Sequence, residues 1–111
     1  MKLTVASLQD RAGWEKAHVK VPAYDVLAMR ENTKKSPVWV HFGAGNIFRA
    51  FIAALQQRLL ESGDASCGII AADTFDVDNI RMVYGGFDNL TMSVTLNADA
   101  TTDREIIASV A

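Results

Sequence analysis

The chain has 111 residues and a mass of 12.1 kDa; half of its residues are hydrophobic, 22% are charged, and the formal net charge is −2. That is enough chain for one domain with a real core, short for a complete enzyme, and too apolar for a disordered segment. Lys and Arg are scattered rather than clustered, which excludes nucleic acid and an anionic membrane surface as expected partners.

One cysteine, Cys67, excludes an internal disulfide, and with only His18 and His41 far apart in sequence no metal site is expected. No apolar stretch reaches the ~18–20 residues of a membrane span, and no secretory signal pattern opens the chain. A cytoplasmic protein is the expectation.

Residues 1–37 read as a lead-in with a short helix, and residues 38–111 as the main unit. Ser7 and Asp10 have the spacing of a capping pair before a helix to about Lys16, although chance spacing on a polar surface explains them equally well. Val21 to Asp25 turns the chain, and ENTKKSP (Glu31 to Pro37) reads as a polar loop. Val38 to Phe42 is apolar at nearly every position, the pattern of a strand buried on both faces of a parallel sheet. Beyond it Ile47, Phe51, Leu55 and Leu59 recur every four residues, flanked by Phe48 and Ile52. This predicts an amphipathic helix with Arg49, Gln56, Arg58 and Glu61 outward, closed by Gly63. The small residues Ala50, Ala53 and Ala54 would let it lie close to a sheet.

Cys67 to Asp73 predicts a second strand, and Val77 to Gly86 a short helix ended by two glycines. Leu90 to Leu96 and Glu105 to Ala111 flank a turn-rich segment and predict an antiparallel hairpin. Trp14, Trp39 and the methionines are expected in a core. The order indicates the α/β class: a partial Rossmann-like domain made of a βαβ unit plus the hairpin.

The turn after the first strand carries the chemistry. Gly43 and Gly45, separated by Ala44, would allow a tight bend and a close backbone approach to a ligand. The helix beginning at Asn46, Ile47, Phe48 and Arg49 would aim unpaired N–H groups and its positive dipole end at the same place, where a pyrophosphate fits. Asp73 closes the second strand 24 residues beyond Arg49, about where a dinucleotide fold places an acid for the adenosine ribose. No Lys or Arg lies between Arg58 and Arg81 to greet a 2′-phosphate, so NAD is favoured over NADP. A structural glycine turn beside an ordinary surface acid is the bland alternative. Phe48 stands where the third glycine of G-x-G-x-x-G belongs, and core packing is its expected role. Arg49 suits a nearby anion or plain solvent. Asn46 could touch cofactor or cap the helix. His41 is expected to be buried and hydrogen-bonded.

HFGAGNIFRAF (His41 to Phe51) resembles the polyol and hexuronate dehydrogenases of the mannitol dehydrogenase family, whose strand ends in H-[FL]-G-x-G before an arginine and a small residue. Here these are His41, Phe42, Gly43, Gly45, Arg49 and Ala50. The P-x-Y-D element that the family places before this strand is matched by Pro22, Ala23, Tyr24 and Asp25, and Asp73 fits its acid after the second strand. Many members have histidine or glycine where this chain has Phe48.

The resemblance implies a parent enzyme that moves hydride between NAD(H) and a sugar alcohol or sugar acid without a metal. It implies catalytic groups in a K-x-x-x-x-N-x-x-H arrangement in a C-terminal domain, its lysine ammonium steadying the developing alkoxide. None of the five lysines here has asparagine five positions on. The chain therefore reads as the N-terminal part of a cofactor domain, with no catalytic residue, inactive alone and prone to self-association through an unpaired sheet edge. A non-catalytic module binding an adenine nucleotide, and a fragment that binds nothing, are the alternatives.

Overall fold

The computed structural model describes residues 2–73 and 76–111. A 3₁₀ turn, Ala6–Gln9, leads into α1, Arg11–Lys16, then β1, Val19–Lys20, α2, Val26–Lys35, and β2, Val40–Phe42. A π-helical turn, Phe48–Ile52, runs directly into α3, Ala53–Ser62, followed by β3, Ile70–Ala72. A second helical run comprises α4, Val77–Asn79, a π-turn, Ile80–Tyr84, and a 3₁₀ turn, Gly85–Phe87; β4, Thr91–Leu96, and β5, Thr102–Ile107, close the order.

The strands form two sheets. β4 and β5 pair antiparallel from Thr91 opposite Ile107 to Leu96 opposite Thr102, so the expected hairpin forms, but its second strand begins inside the segment read as a turn and ends at Ile107, and Val110 bridges Ile69 in parallel instead. β1 adds to β5 in parallel, so residues 19 and 20 of the lead-in are part of this sheet. The second sheet is the parallel pair of β2 and β3, with Val40, His41 and Phe42 opposite Ile70, Ala71 and Ala72. The two meet where the chain leaves β5: Ile69 N–H donates to Ser109 O at 2.8 Å and Ala111 N–H to Ile69 O at 2.9 Å. Gly68 is required there, since a Cβ would stand 2.3 Å from the Ser109 carbonyl oxygen.

Local sequence accounts for most helix ends. Asp10, rather than Ser7, caps α1 by accepting from Gly13 N–H, while Ser7 bonds back to Thr4. Asp25 caps α2 by accepting from Ala28 N–H at 3.0 Å, and Lys34 and Lys35 occupy its last turn, where the dipole favours cations. Gly63 ends α3 in the left-handed conformation, φ 82°, as expected.

Several expectations are corrected. Glu31–Lys35 is the second half of α2, not a loop; only Val26, Met29 and Thr33 of this helix are buried, a stripe too thin to register as a hydrophobic pattern. The strand after Pro37 is shorter than expected and is not covered on both faces: Val38 is 74% and Phe42 76% exposed, and among the described residues it belongs to a two-stranded sheet with β3. The run 77–86 does not stop at its glycines. Gly85 and Gly86 lie inside the last turn, and Asp88 and Asn89, both at positive φ, end it.

The largest correction concerns α3. Ile47, Phe51, Leu55 and Leu59 form its exposed stripe, whereas Phe48, Ala53, Gln56, Gln57 and Leu60 are buried. Two causes act together. In the π-turn Ala53 N–H reaches back to Phe48 O, which rotates the rest of the helix relative to a 3.6-residue repeat. The two glutamines are inside because their amides are satisfied there. Gln56 Nε2 donates to Cys67 O at 2.7 Å; Gln57 Nε2 donates to Ile106 O at 2.8 Å while its Oε1 accepts from Ala108 N–H at 2.7 Å. Of the three small residues Ala53 delivers the expected close approach, letting Ser109 Oγ donate to Ala53 O at 2.5 Å, whereas Ala50 is exposed and Ala54 half-buried.

Two apolar clusters result. One joins Leu8, Trp14, Val26 and Met29 of the lead-in to Leu60, Leu90 and Ile106. The other gathers Ala44, Phe48, Ala53, Ile69, Tyr84, Ile107 and Val110 beneath the glycine turn. Trp14 and Met29 are core residues and Trp39 packs at the edge of the second cluster, but Met82 and Met92 are exposed.

Candidate functional site

The parallel pairing of β2 and β3 brings Gly43 and Asp73 to one place. Gly43 N–H donates to Ala72 O at 2.8 Å, so the glycine turn and Asp73 leave the same, C-terminal, edge of neighbouring strands. In open α/β sheets this edge is where ligands bind. Asp73 is half-buried, and its Oδ1 accepts from Asp76 N–H at 3.2 Å.

Each residue of G-A-G has a distinct condition. Gly43 has φ 113°, a backbone conformation that side chains rarely allow. Ala44 is 1% exposed and points inward. Gly45 is exposed, and a Cβ built on it meets nothing within 4 Å. The space that a dinucleotide phosphate needs beside bare backbone is therefore open at Gly45, and the residues fit the cofactor that the sequence suggested.

The turn is held from below. Tyr84 Oη donates to Ala44 O at 2.8 Å across 40 residues of sequence. His41 Nδ1 donates to Gly43 O at 2.9 Å, which requires the Nδ1–H tautomer, and the His41 ring stacks on Phe48 with centroids 4.4 Å apart. Phe48 is buried, so its ring fills the core as expected for the residue replacing the third glycine. His41 is half-buried and hydrogen-bonded. Ile47 projects outward.

Arg49 lies with its guanidinium 5.9 Å from the centre of the Tyr84 ring and donates to Asn46 Oδ1. Asn46 thus orients the arginine instead of capping the helix. Burial pushes the Tyr84 phenol above its ordinary pKa, with Arg49 opposing and Asp73 adding to the shift. The hydroxyl stays protonated and remains a donor at neutral pH. Arg49 also lines an apolar groove of about 370 Å³ shared with Met82, Val83, Phe87, Leu90 and Met92.

Tyr84 was not legible as a site residue. It stands in an apolar stretch with no motif of its own, and its bond to Ala44 is a tertiary fact. The P-x-Y-D element has a structural explanation: Asp25 caps α2, and Tyr24 Oη donates to Gln57 Oε1 at 2.9 Å. No helix among the described residues is long and apolar enough to cross a membrane.

No protein-family model matches the chain. It is 46% identical over 110 residues to D-mannonate oxidoreductase of Thermotoga maritima, a match covering 99% of this chain and 20% of that protein. The chain thus spans about one-fifth of the relative's length. The fold is similar to part of a crystal structure of D-sorbitol dehydrogenase in substrate-free form, with a TM-score of 0.67 and 21% identity over 85% of this chain and 19% of that one. Nearly all of the chain thus aligns with one part of an oxidoreductase, and the motif His41–Ala50 is similar to that of the mannitol dehydrogenase family of polyol and hexuronate dehydrogenases.

Proposed function

We propose that this chain is the N-terminal, NAD-binding part of a cytoplasmic dehydrogenase acting on a sugar alcohol or sugar acid, with residues 38–111 forming a partial Rossmann-like cofactor domain and residues 1–37 packed on it as a lead-in. The observation that carries the reading is the open backbone at Gly45, in a turn that leaves the same C-terminal edge of two parallel strands as Asp73. The name of the T. maritima relative, an oxidoreductase of D-mannonate, supports the substrate class.

The residues would share the work by chemistry. Gly43, Ala44 and Gly45 offer backbone to the pyrophosphate, joined by the first N–H groups of the helix at Asn46, Ile47 and Phe48. Phe48 contributes only backbone, since its ring is buried. Arg49 adds a cation at the rim, and Asp73 accepts from the adenosine ribose hydroxyls. NAD, when bound, supplies the hydride acceptor. The groups that move the substrate proton belong to the remainder of the parent enzyme.

Titrating the chain with NADH while following nucleotide and tryptophan fluorescence tests the reading. Saturable binding, weakened by Asp73→Ala with reduced preference for NADH over NADPH, is expected. No spectral change at millimolar NADH would overturn it.

A further inference from the structure

We infer that Tyr84 is a positioning residue for the glycine turn: by holding the Ala44 carbonyl inward it aims the Gly45 N–H outward, at the phosphates of a bound dinucleotide. The inference rests on the nucleotide reading given above and adds a residue to it.

The argument is one of peptide geometry. The bond joining Ala44 to Gly45 is planar and trans, so its C=O and N–H point in opposite directions. Whatever fixes the carbonyl fixes the amide. Tyr84 Oη grips Ala44 O at 2.8 Å from inside the core, with Tyr84 3% and Ala44 1% exposed. The opposed N–H therefore faces the side on which Gly45 is exposed and a Cβ would meet no atom within 4 Å. His41 does the same for the preceding plane, since its Nδ1–H holds Gly43 O at 2.9 Å.

Without these two anchors a glycine-rich turn samples many orientations, and ordering it would subtract from the free energy of binding. The same phenol ring lies under the Arg49 guanidinium, so one side chain supports both the amide and the cation of the site. Tyr84 closes the π-turn Ile80–Tyr84, whose wider turn delivers the ring to this spot.

Tyr84→Phe keeps the ring and removes only the hydroxyl. Binding of ADP and of adenosine to the wild-type and variant chains, measured by calorimetry, separates orientation of the turn from general damage. ADP affinity is expected to fall about tenfold while adenosine affinity, which depends on the Asp73 side of the site, is unchanged. Equal ADP affinity in both chains, or a parallel loss for ADP and adenosine, overturns the inference. A wild-type chain that binds neither ADP nor NADH overturns the nucleotide reading itself, and the role of Tyr84 with it. Should the variant not fold, ¹⁵N spectra of the wild-type chain during ADP titration decide: the Gly45 amide is expected among the resonances that move most, and a stationary Gly45 signal with ADP bound refutes the assignment.

Discussion

Three glycines illustrate how differently one residue type is used. At Gly43 the constraint is conformational: φ is 113°, and Gly43→Ala is expected to cost about 1–2 kcal/mol of stability in urea unfolding. At Gly45 the constraint is space that the folded chain leaves empty, so Gly45→Ala should unfold within about 0.5 kcal/mol of wild type while weakening NADH binding. At Gly68 the constraint is packing, because an added methyl would meet the Ser109 carbonyl, a backbone atom that cannot step aside. Gly68→Ala is expected to cost about 1–3 kcal/mol, read from the same unfolding curves. Only the pattern of the first two, stability lost at Gly43 and affinity lost at Gly45, bears on the nucleotide site.

Among the elements, α3 departs furthest from its sequence pattern. A four-residue repeat of large apolar side chains normally marks the buried face, yet here the repeat is outside and two glutamines are within. Substitution can verify the inversion. Leu60→Ala, on the inner face, should cost about 2–5 kcal/mol, whereas Leu55→Gln, four residues from Phe51 on the outer stripe, should change stability by no more than about 0.5 kcal/mol. The first strand of the hairpin and the cap at Gly63 were legible from the local residue pattern, since alternation and a left-handed glycine are local facts. The second half of α2 was not, since three buried side chains in ten residues leave little trace against Glu31, Lys34 and Lys35.

Across the whole molecule, a charged network ties the lead-in to the sheets. Arg58 binds Glu105 through Nη2 at 2.5 Å and Glu61 at 2.7 Å, and Lys20 stands 4.0 Å from Glu61. Burial pushes the Glu105 carboxyl up, but hydrogen bonds from Arg58 and Gln57, with the charges of Arg58 and Lys20, outweigh it and leave the pKa below its ordinary value. A depressed carboxylate contributes stability above its unfolded pKa and loses it as pH falls through the folded one. Stability should therefore decline on acidification below the ordinary glutamate range, and Glu105→Gln should flatten that limb in urea unfolding measured against pH. The molecule also exposes the large apolar side chains of Val38, Val40, Phe42, Ile47, Phe51, Leu55 and Leu59, and exposed apolar surface favours association. Concentration-dependent association, read by light scattering, is the expected consequence.

By itself the sequence determined the elements whose causes are local, and with them the family resemblance. A strand, two glycines, a helix start and an acid at the right interval carry enough chemistry in 33 residues, His41 to Asp73, to suggest a nucleotide-binding turn. Only the tertiary structure decided which face of α3 lies inside, that β1 joins the hairpin in parallel, and that Tyr84 grips the Ala44 carbonyl of the turn. Each depends on partners far apart in sequence: Gln57 on Ile106 and Ala108, Val19 on Arg104, Tyr84 on Ala44. A periodicity records what a residue prefers, whereas a buried hydrogen bond is settled by what meets it, and that meeting exists only once the chain has folded.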